Sequence, residues 1–132
     1  MKCKKHLVLL IEDEPEIAEI YRLKLEKEGF PVLVAMDGES GLQLAREKNP
    51  SLILLDILLP KIDGFAVLKQ LKQDERTKDI PVFVFSNLTQ EEDRKKASDL
   101  QADGYFVKAQ FTPSEFAQRV NLIFNDKKKD DK

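Results

Sequence analysis

Side chains able to do chemistry stand in this sequence at the ends of apolar runs. Glu12 and Asp13 follow Leu7 to Ile11, Asp56 follows Ser51 to Leu55, Ser86 follows Pro81 to Phe85, and Lys108 follows Gly104 to Val107. If those runs are neighbouring strands of one parallel sheet, three carboxyl groups share a shallow pocket. They repel and raise one another's pKa unless a cation neutralises them. Magnesium suits such a pocket: it takes oxygen ligands at about 2.1 Å in an octahedron, keeps several waters, and often binds through one or two carboxylates and a phosphate. A lysine and a hydroxyl opposite would donate to the remaining oxygens of a phosphoryl group. Asp56 is then the nucleophile, forming an acyl phosphate.

The elements that must deliver these groups can be read from the same runs. Leu52 to Leu55 and Leu7 to Ile11 are continuously apolar, as strands covered on both faces are. In such sheets ligands collect outside the carboxyl ends of the strands, at a topological switch point. After the first strand, Pro15 suits a first helical turn, and Ile17, Ile20, Tyr21 and Leu25 form one helical face that Gly29 ends. Pro31 to Ala35 is a short second strand. Asp37-Gly38 caps a helix carrying Gly41, Leu42 and Ala45 on one side, and Asn49-Pro50 stops it.

Beyond the third strand, Pro60 and Asp63-Gly64 break the pattern before a helix whose core face is Val67, Leu68 and Leu71. The fourth strand, Pro81 to Phe85, opens on Ser86-Asn87. Gln90 to Leu100 carries only Ala97 and Leu100 as apolar residues, which fits either a solvated surface helix or a mobile, partner-facing element. Gly104 to Lys108 is the fifth strand. Thr112, Pro113 and Glu115 form a helix start with a capping box, and Phe116, Val120, Ile123 and Phe124 mark its buried side. Five alternations of strand and helix predict a doubly wound α/β sandwich: a parallel five-stranded sheet with right-handed crossovers and helices on both faces.

Composition bounds the function. At 132 residues, 42% hydrophobic and 35% charged, the chain is one soluble globular domain, and a formal net charge of -2 supplies no field for nucleic acid or an anionic membrane. The single cysteine, Cys3, excludes an internal disulfide and a thiolate metal cluster. The apolar run near the start is too short for a signal peptide and meets Glu12, Asp13 and Glu14 at once, and no other run approaches a membrane span. The expected compartment is the cytoplasm.

The acidic pair Glu12-Asp13, Asp56 followed by Leu59-Pro60 and Asp63-Gly64, then Ser86, Tyr105 and Lys108, agree in order and spacing with a known family. From Leu7 to Phe124 the sequence resembles the receiver domain of bacterial two-component response regulators. The resemblance implies a flavodoxin-like sheet of order 2-1-3-4-5, with a receiver domain over residues 1–125; residues 126–132, almost all charged, are expected to be a disordered tail. It also implies roles: Asp56 as phosphoacceptor, Glu12 and Asp13 as the acidic pair holding Mg2+ (Glu12 through water), and Leu58 as the donor of a backbone carbonyl to the ion. Ser86 would turn toward the phosphoryl group, Lys108 would pair with it, and Tyr105 would move inward with Ser86.

The implied partners are a sensor histidine kinase or phosphotransfer protein as donor and a separate downstream target, for a single-domain switch that turns over no external substrate. A monomer and a phosphorylation-dependent dimer through the fourth and fifth helices both remain open. Two departures from the family pattern follow from the sequence. Ala109 stands where proline commonly follows the lysine through a cis bond, which predicts either a strained cis bond or a reshaped loop that could misplace Lys108. A displaced Lys108 would leave a phosphorylation-independent interaction module. Leu58 and Leu88, two residues beyond Asp56 and Ser86, are both apolar where side chains flank the attacking water, which predicts slow self-dephosphorylation.

Overall fold

The computed structural model describes residues 6–88 and 90–130 of the chain, so Cys3 lies outside the described residues. Strands β1 (Val8–Ile11), β2 (Val32–Ala35), β3 (Leu52–Leu55), β4 (Val82–Ser86) and β5 (Gly104–Val107) alternate with helices α1 (Pro15–Lys27), α2 (Gly38–Lys48), α3 (Gly64–Gln73), α4 (Glu91–Asp99) and α5 (Pro113–Asp130). The strands form one parallel sheet in the order β2-β1-β3-β4-β5. The chain leaves β1 toward one edge and returns beside it as β3, so the switch point lies between β1 and β3, as the family resemblance implies.

The period of two along each strand divides the core. Leu9 and Ile11 of β1, Ile53 and Leu55 of β3, and Val82 and Val84 of β4 pack with Leu42 and Ala45 of α2 and with Val67, Leu68 and Leu71 of α3. Val8, Leu10, Leu52, Leu54 and Phe85 point the other way, onto Ala18, Tyr21 and Leu25 of α1 and Phe116, Ala117 and Val120 of α5. With a core on both faces, β1 and β3 are fully buried, which is why their sequences show no polar alternation.

Helix ends follow local chemistry. Asp37 accepts from Ser40 N–H at 2.8 Å, and Asn49 closes α2 with φ 49°, in the left-handed conformation that asparagine tolerates. At α5 the reciprocal capping box is complete: Glu115 N–H donates to Thr112 Oγ1 (3.1 Å) and Thr112 N–H to Glu115 Oε1 (2.9 Å).

One element differs from the sequence reading: in α1 the inward face is Ala18, Tyr21 and Leu25, while Ile20 is 46% exposed. Helix α5 runs to Asp130. The side chains of residues 126–132 lie outside the described residues.

The polar segment of the sequence is the regular helix α4, with Ala97 as its buried residue. Cations also attach it to the body: Lys96 Nζ lies 4.5 Å from the centroid of the Phe65 ring, and the Arg94 guanidinium 5.1 Å from that of Tyr105.

Candidate functional site

The ladder sets the site. Asp56 N–H donates to Ile11 O at 3.1 Å and Glu12 N–H to Ala35 O at 2.9 Å, so the first residues past β3 and β1 are held by the rungs that end those strands. Glu12, Asp13 and Asp56 are thereby brought together, each offering a carboxylate oxygen within 4.8 Å of the others. Glu12 is 1% and Asp56 5% exposed, with Asp13 half-buried above them.

Lys108 reaches into this cluster from the end of β5. Its Nζ donates to Asp56 Oδ2 at 3.0 Å and to Glu12 Oε1 at 2.5 Å, while lying 5.0 Å from the centroid of the buried Phe85 ring. Burial disfavours the charged forms, yet the groups respond oppositely. Burial, and to a smaller degree the charge of Asp56, push the Glu12 carboxyl up, and although the Lys108 hydrogen bond and charge oppose this, its pKa stays above the usual carboxylate range. For Lys108 burial pulls downward, but the hydrogen bond to Glu12 and the charge of Asp56 more than offset it, and the ammonium is held above its ordinary pKa.

The loop after Lys108 is reshaped. Among the described residues there is no cis peptide bond, and Lys108–Gln110 forms a 3-10 turn. Lys108 is nonetheless in contact with Asp56, so the displacement that Ala109 suggests does not occur.

The other expected residues surround the cluster. Leu58 N–H donates to Asp56 Oδ1 at 3.1 Å, and its side chain is 59% exposed at the mouth. Leu88 instead packs against the core, so of these two leucines only Leu58 stands at the entrance. Ser86 is the last residue of β4, fully buried, with its Oγ accepting from Leu88 N–H at 3.3 Å. Tyr105 donates from its hydroxyl to Leu88 O at 2.8 Å, tying β5 to the loop that begins at Ser86. Burial, and then the charge of Asp93, raise its pKa.

Sequence reasoning missed Phe85 beneath the ammonium and the Lys108 to Glu12 contact. The first had a signal, since Phe85 precedes Ser86 on a strand and so faces the opposite side of the sheet. The second depends on how far one side chain reaches across two strands. It had none.

A loop after β3 completes the pocket floor: Gly64 N–H donates to Ile57 O at 3.0 Å, and Asp63 Oδ1 accepts from Phe65 N–H at 3.2 Å. The response regulator receiver domain family matches residues 8–121. The chain belongs to this family. Among the receiver's relatives, the DNA-binding dual master transcriptional regulator RpaA of Synechocystis sp. is 41% identical over 116 residues, covering 88% of this chain and 48% of that protein. PhoP of Bacillus subtilis, the alkaline phosphatase synthesis transcriptional regulatory protein, is 37% identical over 116 residues, covering 88% and 47%. The receiver thus spans about half the length of these curated relatives.

Among solved structures, a putative response regulator from Chloroflexus aurantiacus superposes with a TM-score of 0.82 at 31% identity, covering 91% of this chain and 98% of that one. The Mn2+-bound form of response regulator Rcp1 gives 0.80 at 26%, covering 90% and 94%. The receiver has the fold and strand order that its site motifs imply. No described helix is long and apolar enough to cross a membrane.

Proposed function

We propose that this receiver is a phosphorylation switch in which Asp56 accepts a phosphoryl group from a phosphohistidine of a sensor histidine kinase or phosphotransfer protein. The observation that carries it is the joining of three carboxylates within 4.8 Å to one lysine, 3.0 Å from Asp56, at the carboxyl ends of β1, β3 and β5. An Asp56 carboxylate oxygen gives a lone pair to phosphorus as the bond to the donor's imidazole nitrogen breaks, and that nitrogen leaves with the bonding pair. Lys108 and the Ser86 hydroxyl would donate to phosphoryl oxygens, and Leu58 N–H, which donates to Asp56 Oδ1, would orient the carboxylate.

Glu12, Asp13, Asp56 and the Leu58 carbonyl would hold Mg2+, Glu12 through water; an all-oxygen, acid-rich set fits a hard cation, and the manganese-bound relative has the same fold. The ion would supply charge neutralisation at the phosphoryl oxygens. Added charge at Asp56 would draw Ser86 and release Tyr105 from Leu88, changing the surface of α4, β5 and α5 that a downstream target reads. The receiver would act in the cytoplasm and turn over no external substrate.

The test is incubation with acetyl phosphate and Mg2+. Intact mass should rise by one phosphoryl group, and the gain should vanish in Asp56→Asn and in chelator. A gain that survives Asp56→Asn, or none in the wild type, ends the proposal.

Lifetime is a second expected result. With Leu58 at the mouth and no polar group on it to orient water, the phosphorylated chain should persist for minutes or longer. Leu58→Asn should hasten its decay about tenfold, by positioning the attacking water. Decay within seconds in the wild type contradicts this.

A further inference from the structure

Lys108 can serve Asp56 only if the turn that carries it is fixed, and the residue after it is Ala109, joined by a trans bond. The structure shows a fastening. Ala109 N–H donates to Asn87 Oδ1 at 2.9 Å, between residues 22 apart in sequence. Asn87 directly follows Ser86, and Ala109 directly follows Lys108.

The last paired residues of β4 and β5 are Ser86 and Val107, so this bond continues the tie between the two strands beyond the end of their ladder. Within the turn, Phe111 N–H donates to Lys108 O at 3.3 Å, and Val107 supplies no side-chain cap. The Ala109 N–H belongs to the first turn of a 3-10 helix, where donors have no partner within the helix. The Asn87 side chain supplies one. A proline at 109 would have no N–H to give. Asn87 and Ala109 therefore make sense as a pair, each with a use that depends on the other.

We infer that Asn87 is a positioning residue: its side-chain carbonyl, bonded to Ala109 N–H, holds the 108–110 turn so that Lys108 reaches Asp56, in a phosphoryl-transfer site that needs no proline there. The inference rests on the phosphoacceptor reading for its kinetic consequence, though not for its geometry. Asn87 and Ala109 are both exposed, so the bond competes with water and its effect is modest.

Asn87→Ala and Ala109→Pro each remove one partner. Each should slow phosphorylation by acetyl phosphate at saturating Mg2+ about fivefold, the size of one ordinary hydrogen bond. The double variant should be no slower than the slower single one. Mg2+ affinity should be unchanged in Asn87→Ala, and a thermal melt confirms that each variant is folded.

Wild-type rates in Asn87→Ala, or single effects that multiply in the double variant, overturn the inference. If the wild type takes up no phosphoryl group, the proposed function fails but the positioning role is still decided by 15N NMR of the Lys108 ammonium. That signal should be visible in the wild type and exchange-broadened in Asn87→Ala. An unaltered signal in the variant overturns the role.

Discussion

Gly64→Ala is expected to destabilise the protein by about 3 kcal/mol, the upper part of the range for forcing a methyl into filled space, and to lower its Tm by about 10 °C. Gly64 opens α3 directly behind the phosphoacceptor loop. A Cβ there would fall against Ile57 Cα, with the carbonyl oxygens of Ile57 at 2.6 Å and Asp56 at 2.7 Å. All three are backbone atoms, so no rotamer change relieves the overlap. The bond from Gly64 N–H to Ile57 O ties the same segments, so α3 cannot back away without losing it. Relief must come from moving residues 56 and 57, which also shifts Asp56 away from Lys108, and the variant should be phosphorylated more slowly even where it is folded. Gly38→Ala is the control. Its nearest neighbour is a Val67 methyl at 2.6 Å, a side-chain atom rather than backbone, and Ile62 Cβ follows at 3.4 Å. Its Tm should fall less, and its phosphorylation rate should stay close to wild type. Thermal melts of the two variants together with rates by intact mass decide this. Equal loss of stability in both would show that the backbone contact at Gly64 costs no more than the side-chain contact at Gly38.

The contrast shows what can be read in a sequence of this kind. Leu52 to Leu55 ends in an acid and is followed within a few residues by a proline and an Asp-Gly pair, and each of these features has a local cause: burial on both faces, a strand exit, a turn and a helix start. The alternation of strand and helix follows from local patterns repeated five times, whereas the strand order that brings Glu12, Asp13 and Asp56 together at one end of the sheet is what the family resemblance implies. Side-chain burial at the border of a helical stripe is less legible. Ile20 lies on the apolar face of α1 by spacing but is 46% exposed, because the small Ala18 lets α1 seat against the sheet through a different row. Contacts between loops are less legible still. The bond from Ala109 to Asn87 and the reach of Lys108 to two carboxylates depend on the register of β4 against β5, which exists only after folding. Ala109 read alone suggests a displaced lysine. Read with Asn87, it accounts for one that is in place.

Lys108 also carries a thermodynamic role that precedes any phosphoryl transfer, and Lys108→Met tests it while keeping an apolar stem over Phe85. The substitution leaves the buried Glu12 and Asp56 carboxylates without their cation, and breaking a buried pair in this way costs about 3 to 5 kcal/mol. The pH dependence follows from the sign of the Glu12 shift. Its folded pKa lies above its ordinary value of 4.5, so its contribution to stability is fully present below that value and is lost as pH rises through the folded pKa. In the wild type the Lys108 hydrogen bond and charge hold this rise in check. Without them the folded pKa climbs further, and the window of lost stability extends upward. Lys108→Met should therefore melt well below wild type at neutral pH and approach it as pH falls toward 4.5, where Glu12 takes up a proton in both states. On the alkaline side, wild-type Lys108, whose pKa is raised above 10.5, should keep its stabilising effect up to that value and lose it only in stronger alkali. Millimolar Mg2+ should raise the Tm of the variant more than that of the wild type, since a cation held by Glu12, Asp13 and Asp56 relieves in the variant a repulsion that Lys108 already relieves in the parent. Phosphorylation by acetyl phosphate should slow about a hundredfold in the variant, the cost of losing one preorganised donor to the phosphoryl oxygens. A stability deficit that is the same at every pH would mean that Lys108 acts through packing. A Tm that Mg2+ raises equally in both proteins would mean that Lys108 does not relieve the repulsion among the carboxylates.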